Sequence, residues 1–184
     1  MHDEIVRLMH YDPRWRQEFE QTRSSILFSC EGWVTNVEHV GSTAISGLIA
    51  RPTIDVFATV QDDEGIEPAG RLIEGLNFRE QSTDDWNRDA ITLIKPRSLS
   101  PETPEPTHRV WLVQESSPML RRALRMRDHL RQHPESAIRY EEAKVACWKE
   151  CDGDPQRYRY GKSIFIAHLI DQIDAADDAG GGHR

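Results

Sequence analysis

The stretch V-E-H-V-G-S-T-A-I-S-G-L-I-A-R-P-T-I-D-V-F-A-T-V, Val37 to Val60, decides how the rest of the chain is read. Val37 to Val40 is a short apolar run ending at Gly41, a residue able to take the positive φ of a sharp turn. Ser42 and Thr43 follow, and either hydroxyl can cap a short helix by accepting a backbone N–H. Gly47 and Pro52 limit that helix, and Thr53 to Val60 then alternates as a strand. Ile54, Val56, Ala58 and Val60 share one face; Thr53, Asp55, Phe57 and Thr59 share the other. A strand, turn and helix that bring backbone N–H groups and two hydroxyls to one spot suit a phosphate. Asp55 is the single carboxylate beside that spot. Gly-Ser turns also precede helices with no ligand attached, and one Asp in a strand can simply close a hydrogen-bond network.

Within this stretch the pattern H-V-G-S-T-A-x-x-G-L-x-A-[KR]-P-x-I-D, from His39 to Asp55, resembles the signature of the GrpB family. Further segments agree: Tyr11-Asp12-Pro13-x-Trp15, Thr107 to Pro118, Leu124 to Glu135, Tyr140 to Lys144, and the spacing of Tyr158 and Lys162. The resemblance covers about residues 9 to 170. It implies an α/β fold with a mixed sheet, a nucleotidyltransferase-like core with C-terminal helices, and helices on one side of the sheet. A related domain occurs fused to dephospho-coenzyme A kinase. The implied function is nucleotide-dependent phosphoryl or nucleotidyl transfer to a small acceptor. The alternative is a degenerate accessory module that binds a nucleotide or another phosphorylated molecule. In the first case Gly41, Ser42 and Thr43 hold phosphate, Asp55 positions Mg²⁺ for a nucleoside triphosphate, and Arg51, Arg127 and Lys162 neutralise charge on the phosphates.

Two positions depart from a two-metal pattern. Phe57 stands where a second same-face carboxylate would complete the pair. The strand from Thr107 to Val113 carries no acid at all. The family tends to show His-x-x-His there; His108 matches the first, and Trp111 replaces the second. His108 is therefore a candidate metal ligand or general base, or a strand-end residue bonded to a backbone carbonyl. Asp84, Asp85 and Asp89 are nearby carboxylates in a turn-rich segment, where Asx-turns are the ordinary use.

The whole chain, 184 residues with a formal charge of −8, fits one domain over residues 1–175 with a polar tail at 176–184. The acidic balance argues against a general nucleic-acid binder. No transmembrane-length segment or leader is visible, so a cytoplasmic protein is expected. Cys30, Cys147 and Cys151 have no metal-ligand spacing, and Cys147 and Cys151, one helical turn apart, read as packing residues.

Outward from the centre, Glu4 to Met9 reads as an edge strand. Asp12 and Pro13 open a helix with Trp15, Phe19, Thr22 and Ile26 on one face. A helix from Pro68 is expected to turn Leu72, Ile73 and Leu76 inward. Short strands follow at Asn77 to Glu80, Ala90 to Lys95 and Thr107 to Val113, with a proline-rich loop at 96–106 that can lie over the site. Ser117-Pro118 opens a helix with five arginines between Arg121 and Arg131. Arg127 lies at its core boundary, where a guanidinium needs either an acidic partner or an anion. His133-Pro134 ends that helix and starts another. A last helix begins near Pro155 and carries Lys162.

Overall fold

The computed structural model describes residues 6–81, 90–100, 105–152 and 154–180. Asp84, Asp85 and Asp89 lie outside the described residues. Five strands, β1 (Val34–Val40), β2 (Ile54–Val60), β3 (Arg79–Gln81), β4 (Ile91–Lys95) and β5 (His108–Gln114), form one sheet in the order β1-β2-β5-β4-β3. β2 and β5 run parallel; the remaining neighbours are antiparallel, so the sheet is mixed. Five α-helices accompany it: α1 (Arg14–Ser29), α2 (Ile66–Glu74), α3 (Pro118–Gln132), α4 (Pro134–Glu150) and α5 (Pro155–Gly180). α5 thus runs on past Ala175.

β2 is the axis of the sheet, and its alternation fixes the register. Ile54, Val56, Ala58 and Val60 are fully buried against α1 and α2, with Trp15, Phe19, Ile26, Ile73, Val110 and Leu112. Burying an Ile or Val side chain is worth roughly 1.5–3 kcal/mol, so a one-residue slip that turned this set over would forfeit most of that core. The opposite face is closed as well. Phe57 is 3% exposed and packs with Val40, Val113 and Leu120 of α3, beside Trp111. The expectation of helices on one side is corrected here: α1 and α2 cover one face and α3 the other. The reason is visible in β2, which has a parallel partner and is buried on both faces, as parallel neighbours generally are.

Other local expectations are adjusted too. Of the edge strand expected over Glu4 to Met9, residues 4 and 5 lie outside the described residues; among the described ones, Met9 forms an isolated bridge with Ala50. α2 begins at Ile66 and buries Ala69, Gly70 and Ile73, an i, i+3, i+4, i+7 stripe that leaves Leu72 39% exposed. Asp12 caps α1: its Oδ1 accepts from the Arg14 N–H at 2.9 Å. α3, α4 and α5 enclose a second cluster, in which Leu130, Ala137, Tyr140, Leu169 and Ile173 receive Ile45 and Leu48 from the β1–β2 connection. That packing brings the C-terminal helices against the turn at Gly41.

Candidate functional site

Gly41 is the pivot of the site. It has φ 74° and ψ −173°, a combination open essentially to glycine. A Cβ there would stand 2.7 Å from Oδ2 of Asp55. The backbone of the turn therefore presses directly on the carboxylate, which β2 presents opposite Val40 of β1 and Arg109 of β5. The turn continues as a single 3-10 turn, Ser42–Ala44, in which neither hydroxyl caps the helix. The two hydroxyls diverge. Thr43 is buried and donates to the Thr53 carbonyl at 3.2 Å, so it accepts from Nε2–H of His39 at 3.0 Å. Ser42 faces α4, where Lys144 Nζ lies 3.2 Å and the Tyr140 hydroxyl 3.3 Å from its Oγ.

Among the described residues, four basic side chains converge around this turn. Arg109 lies beside Asp55, its Nη1 3.7 Å from Oδ1, which is beyond hydrogen-bond range; that buried oxygen has no hydrogen-bond partner among the described residues. Lys162 of α5 and Arg51 also act on Asp55. Burial pushes the Asp55 carboxyl upward from the usual carboxylate range, while Arg109, Lys162 and Arg51 oppose it. Its side chain keeps 22% of its surface, so burial costs the charged form less here than it would cost a sealed carboxylate. Lys162 is held above its ordinary range, first by Tyr140, then by Tyr158 and Asp55 against the cost of burial and the repulsion of Arg51. Arg51 pairs with Glu105 at 3.3 Å, yet its Nε and the Glu105 Oε1 are both buried without hydrogen-bond partners among the described residues. Lys144 is 2% exposed, donates to the Ile49 carbonyl, and lies 4.6 Å from the centre of the Tyr140 ring.

Of the residues expected at the site, Gly41, Ser42, Arg51, Asp55 and Lys162 come together. Thr43 turns its hydroxyl inward, away from the cluster. Arg127 finds the acidic partners its position demands: Glu38 at 2.6 Å and Asp128 at 2.8 Å, with the His39 carbonyl at 3.1 Å. It is a structural cation tying α3 to the edge strand. His108 is a correction. It pairs in register with Ile54, so it faces the α1 side of the sheet, opposite to Asp55. Thr107 donates to the Lys95 carbonyl and accepts from His108 Nδ1–H at 2.9 Å, leaving Nε2 buried and unprotonated. An acceptor one sheet thickness away cannot act on a group held by Asp55.

An open cleft of about 790 Å³ lies across the 3-10 turn from this cluster. Its walls include His39, Thr43, Arg127 and Arg131, but not Asp55, Arg109, Lys144 or Lys162. We place the candidate chemistry at the cluster, since a volume alone carries none.

Comparison with known proteins agrees with the fold. A family profile described as "GrpB protein" matches residues 5–172. The chain belongs to the GrpB family. It is 28% identical over 178 residues to a "UPF0157 protein" of Pseudomonas aeruginosa, covering 95% of this chain and 70% of that one. It is also 27% identical over 173 residues to a "Dephospho-CoA kinase" of Mycobacterium bovis, covering 83% of this chain and 42% of that protein. A crystal structure of GrpB from Enterococcus faecalis superposes with a TM-score of 0.78 at 23% identity, over 91% of this chain and 96% of the other, and shows the fold alone.

Within this GrpB chain the residues do not fit a Mg²⁺ centre of the two-carboxylate kind. Phe57 fills the second position and stacks on Trp111 at 5.2 Å, and the strand neighbour of Asp55 is a guanidinium. Among the described residues no three His, Cys, Asp or Glu side chains group to hold a metal. Nor, among them, is any helix long and apolar enough to cross a membrane. Sequence reading missed Arg109, Tyr140 and Lys144. A signal existed for two of them: Tyr140-x-x-x-Lys144 and Tyr158-x-x-x-Lys162 repeat one spacing, which puts each tyrosine and lysine on one helix face. Arg109 had only its register to give it away.

Proposed function

We propose that the cluster around Gly41 binds the phosphate of a small phosphorylated molecule, with a nucleotide as the class suggested by the nucleotidyltransferase-like resemblance. One observation carries this reading. Arg109 and Lys162 both act on Asp55, a single carboxylate that can neutralise one of them and hydrogen-bonds neither at Oδ1. A surplus of half-buried cations with a hydroxyl nearby matches the donor demand of a phosphate dianion, which takes charge-assisted hydrogen bonds from several directions. Arg51 and Glu105 border the cluster with unpartnered buried atoms of their own.

The test is calorimetry with inorganic phosphate and with ATP, in chelator, on the wild type, Arg109→Met and Lys162→Met. A charge-assisted hydrogen bond contributes about 1.5–3 kcal/mol. Each substitution is therefore expected to weaken binding by about tenfold or more. Binding that needs Mg²⁺, and loses that need in Asp55→Asn, would overturn the reading in favour of a metal-held nucleotide. Phosphoryl or nucleotidyl transfer is the second reading, and the contact between Ser42 and Lys144 is the observation that favours it.

A further inference from the structure

We propose that Ser42 is a nucleophile, assisted by Lys144, that takes a phosphoryl group from an activated phosphate such as a mixed or phosphoric anhydride. The inference rests on the phosphate-binding reading and adds a covalent step to it.

The geometry has three parts. First, the hydroxyl is placed: Ser42 sits on the turn that Gly41 fixes, half-buried, while its neighbour Thr43 has already committed its proton to the Thr53 carbonyl. Second, a base is in reach: Lys144 Nζ is 3.2 Å from Ser42 Oγ, within the range for direct proton transfer. Third, the amine is confined. It is 2% exposed, held by the Ile49 carbonyl and the Tyr140 ring, so it is not a surface lysine sweeping past. The groups acting on it are Lys162 from α5 and Glu141 from its own helix, with Tyr140 alongside. Burial, then the charge of Lys162, lowers its pKa to about 7, with Glu141 opposing. Near neutral pH a useful fraction is an unprotonated amine.

The step balances without a further reactant. The Ser42 Oγ–phosphorus bond forms as the bond from phosphorus to the leaving oxygen breaks, and the leaving group departs with that electron pair. The Ser42 proton passes to Lys144 Nζ. Arg109 and Lys162 stay charged throughout and face the phosphoryl oxygens.

The experiment uses the full chain with acetyl phosphate in chelator. It reads phosphoserine by peptide mapping and intact mass, at saturating donor, with phosphate affinity measured alongside. Wild type is expected to label at Ser42, with a rate that rises as pH increases through about 7. Ser42→Ala should lose that label. Lys144→Arg keeps a cation in place but cannot give up its proton near neutral pH, and should slow labelling at least a hundredfold. Fluorescence and circular dichroism establish that each variant is folded; should Lys144→Arg fail there, the pH profile of the wild type decides alone. A wild type that binds phosphate but never carries phosphate on Ser42, or labels with no dependence on pH between 6 and 8, overturns the nucleophile while leaving the binding site standing. Absence of phosphate binding overturns both.

Discussion

His108 and Arg109 are consecutive residues of β5 and open onto opposite sides of the sheet. On the Arg109 side, ionisable groups gather: Asp55 of β2, Lys162 of α5 and Arg51 of the β1–β2 connection act on one another. On the His108 side the two buried histidines are held neutral. Burial first, then the charge of Lys95, lowers the His108 pKa to about 4; burial, then Arg131, Arg127 and His108, does the same for His39, which stacks on Phe19. The same end of one sheet thus gathers a carboxylate and several cations on one face and keeps two buried histidines uncharged on the other. The difference follows from what covers each face. α1 seals its side with aromatic and aliphatic packing, while on the other side α4 and α5 bring lysines and tyrosines, groups that can keep polar tips near Asp55.

The largest consequence is in acid. For His39 and His108 the folded state binds a proton less readily than the unfolded chain, so their stabilising effect is full above pH 6.5 and is lost as pH falls toward 4. Roughly 1–2 kcal/mol should vanish for each histidine between pH 6.5 and 5. Urea unfolding of the wild type and of His39→Gln/His108→Gln at the two pH values checks this. Glutamine can still donate to Thr43 but does not titrate, so the drop should shrink by most of its size. An undiminished drop in the double variant would mean that the buried-neutral face is not what titrates.

Gly41→Ala probes the charged face by packing. Positive φ costs a non-glycine residue about 1–3 kcal/mol, and the added methyl also meets the Asp55 carboxylate. Gly47 has φ 85° with nothing within 4 Å of a Cβ, so Gly47→Ala bears the strain alone. We expect Gly41→Ala to be the less stable of the two by about 1 kcal/mol or more, read from chemical denaturation. Equal losses would show that the turn does not press on Asp55.

The contrast between faces was partly legible in the sequence. Alternation along Ile54–Val60 gave both the buried set and the same-face pairing of Asp55 with Phe57, because a strand has one period and β2 obeys it. Burial of Phe57 on the supposedly polar face was not legible, since it depends on α3 folding back from far along the chain. The side taken by His108 also could not be read, because it depends on the register between β2 and β5, which are separated by 47 residues of intervening sequence (61–107). Arg127 was legible as a cation in need of a partner, but not as the partner of Glu38 on another element. Single-strand and single-helix patterns reveal faces; they do not reveal which faces meet.

Asp55→Asn separates an anion site from a metal site by sign. If Asp55 competes with a bound phosphate for Arg109 and Lys162, its neutralisation should raise phosphate affinity several-fold, about 1 kcal/mol. As a metal ligand it would lower nucleotide affinity in Mg²⁺. Titration of phosphate without metal, and of ATP with it, distinguishes the two directions.

The smallest expected effect is the most direct test of the two-face contrast. His108→Gln removes a neutral side chain whose Nδ1–H binds Thr107 and whose Nε2 binds nothing among the described residues. It lies one residue from Arg109, so any influence carried along β5 would be felt at once. If the faces are chemically separate, phosphate affinity in His108→Gln should stay within about twofold of wild type at pH 7, where the imidazole is already uncharged. Arg109→Met should lose about tenfold or more under the same conditions. The comparison is internal to one strand, which removes differences in burial of the backbone and in cross-strand pairing. A loss in His108→Gln approaching that of Arg109→Met, with thermal unfolding unchanged, would mean that the imidazole reaches the bound anion through the sheet. The separation drawn from register would then be wrong.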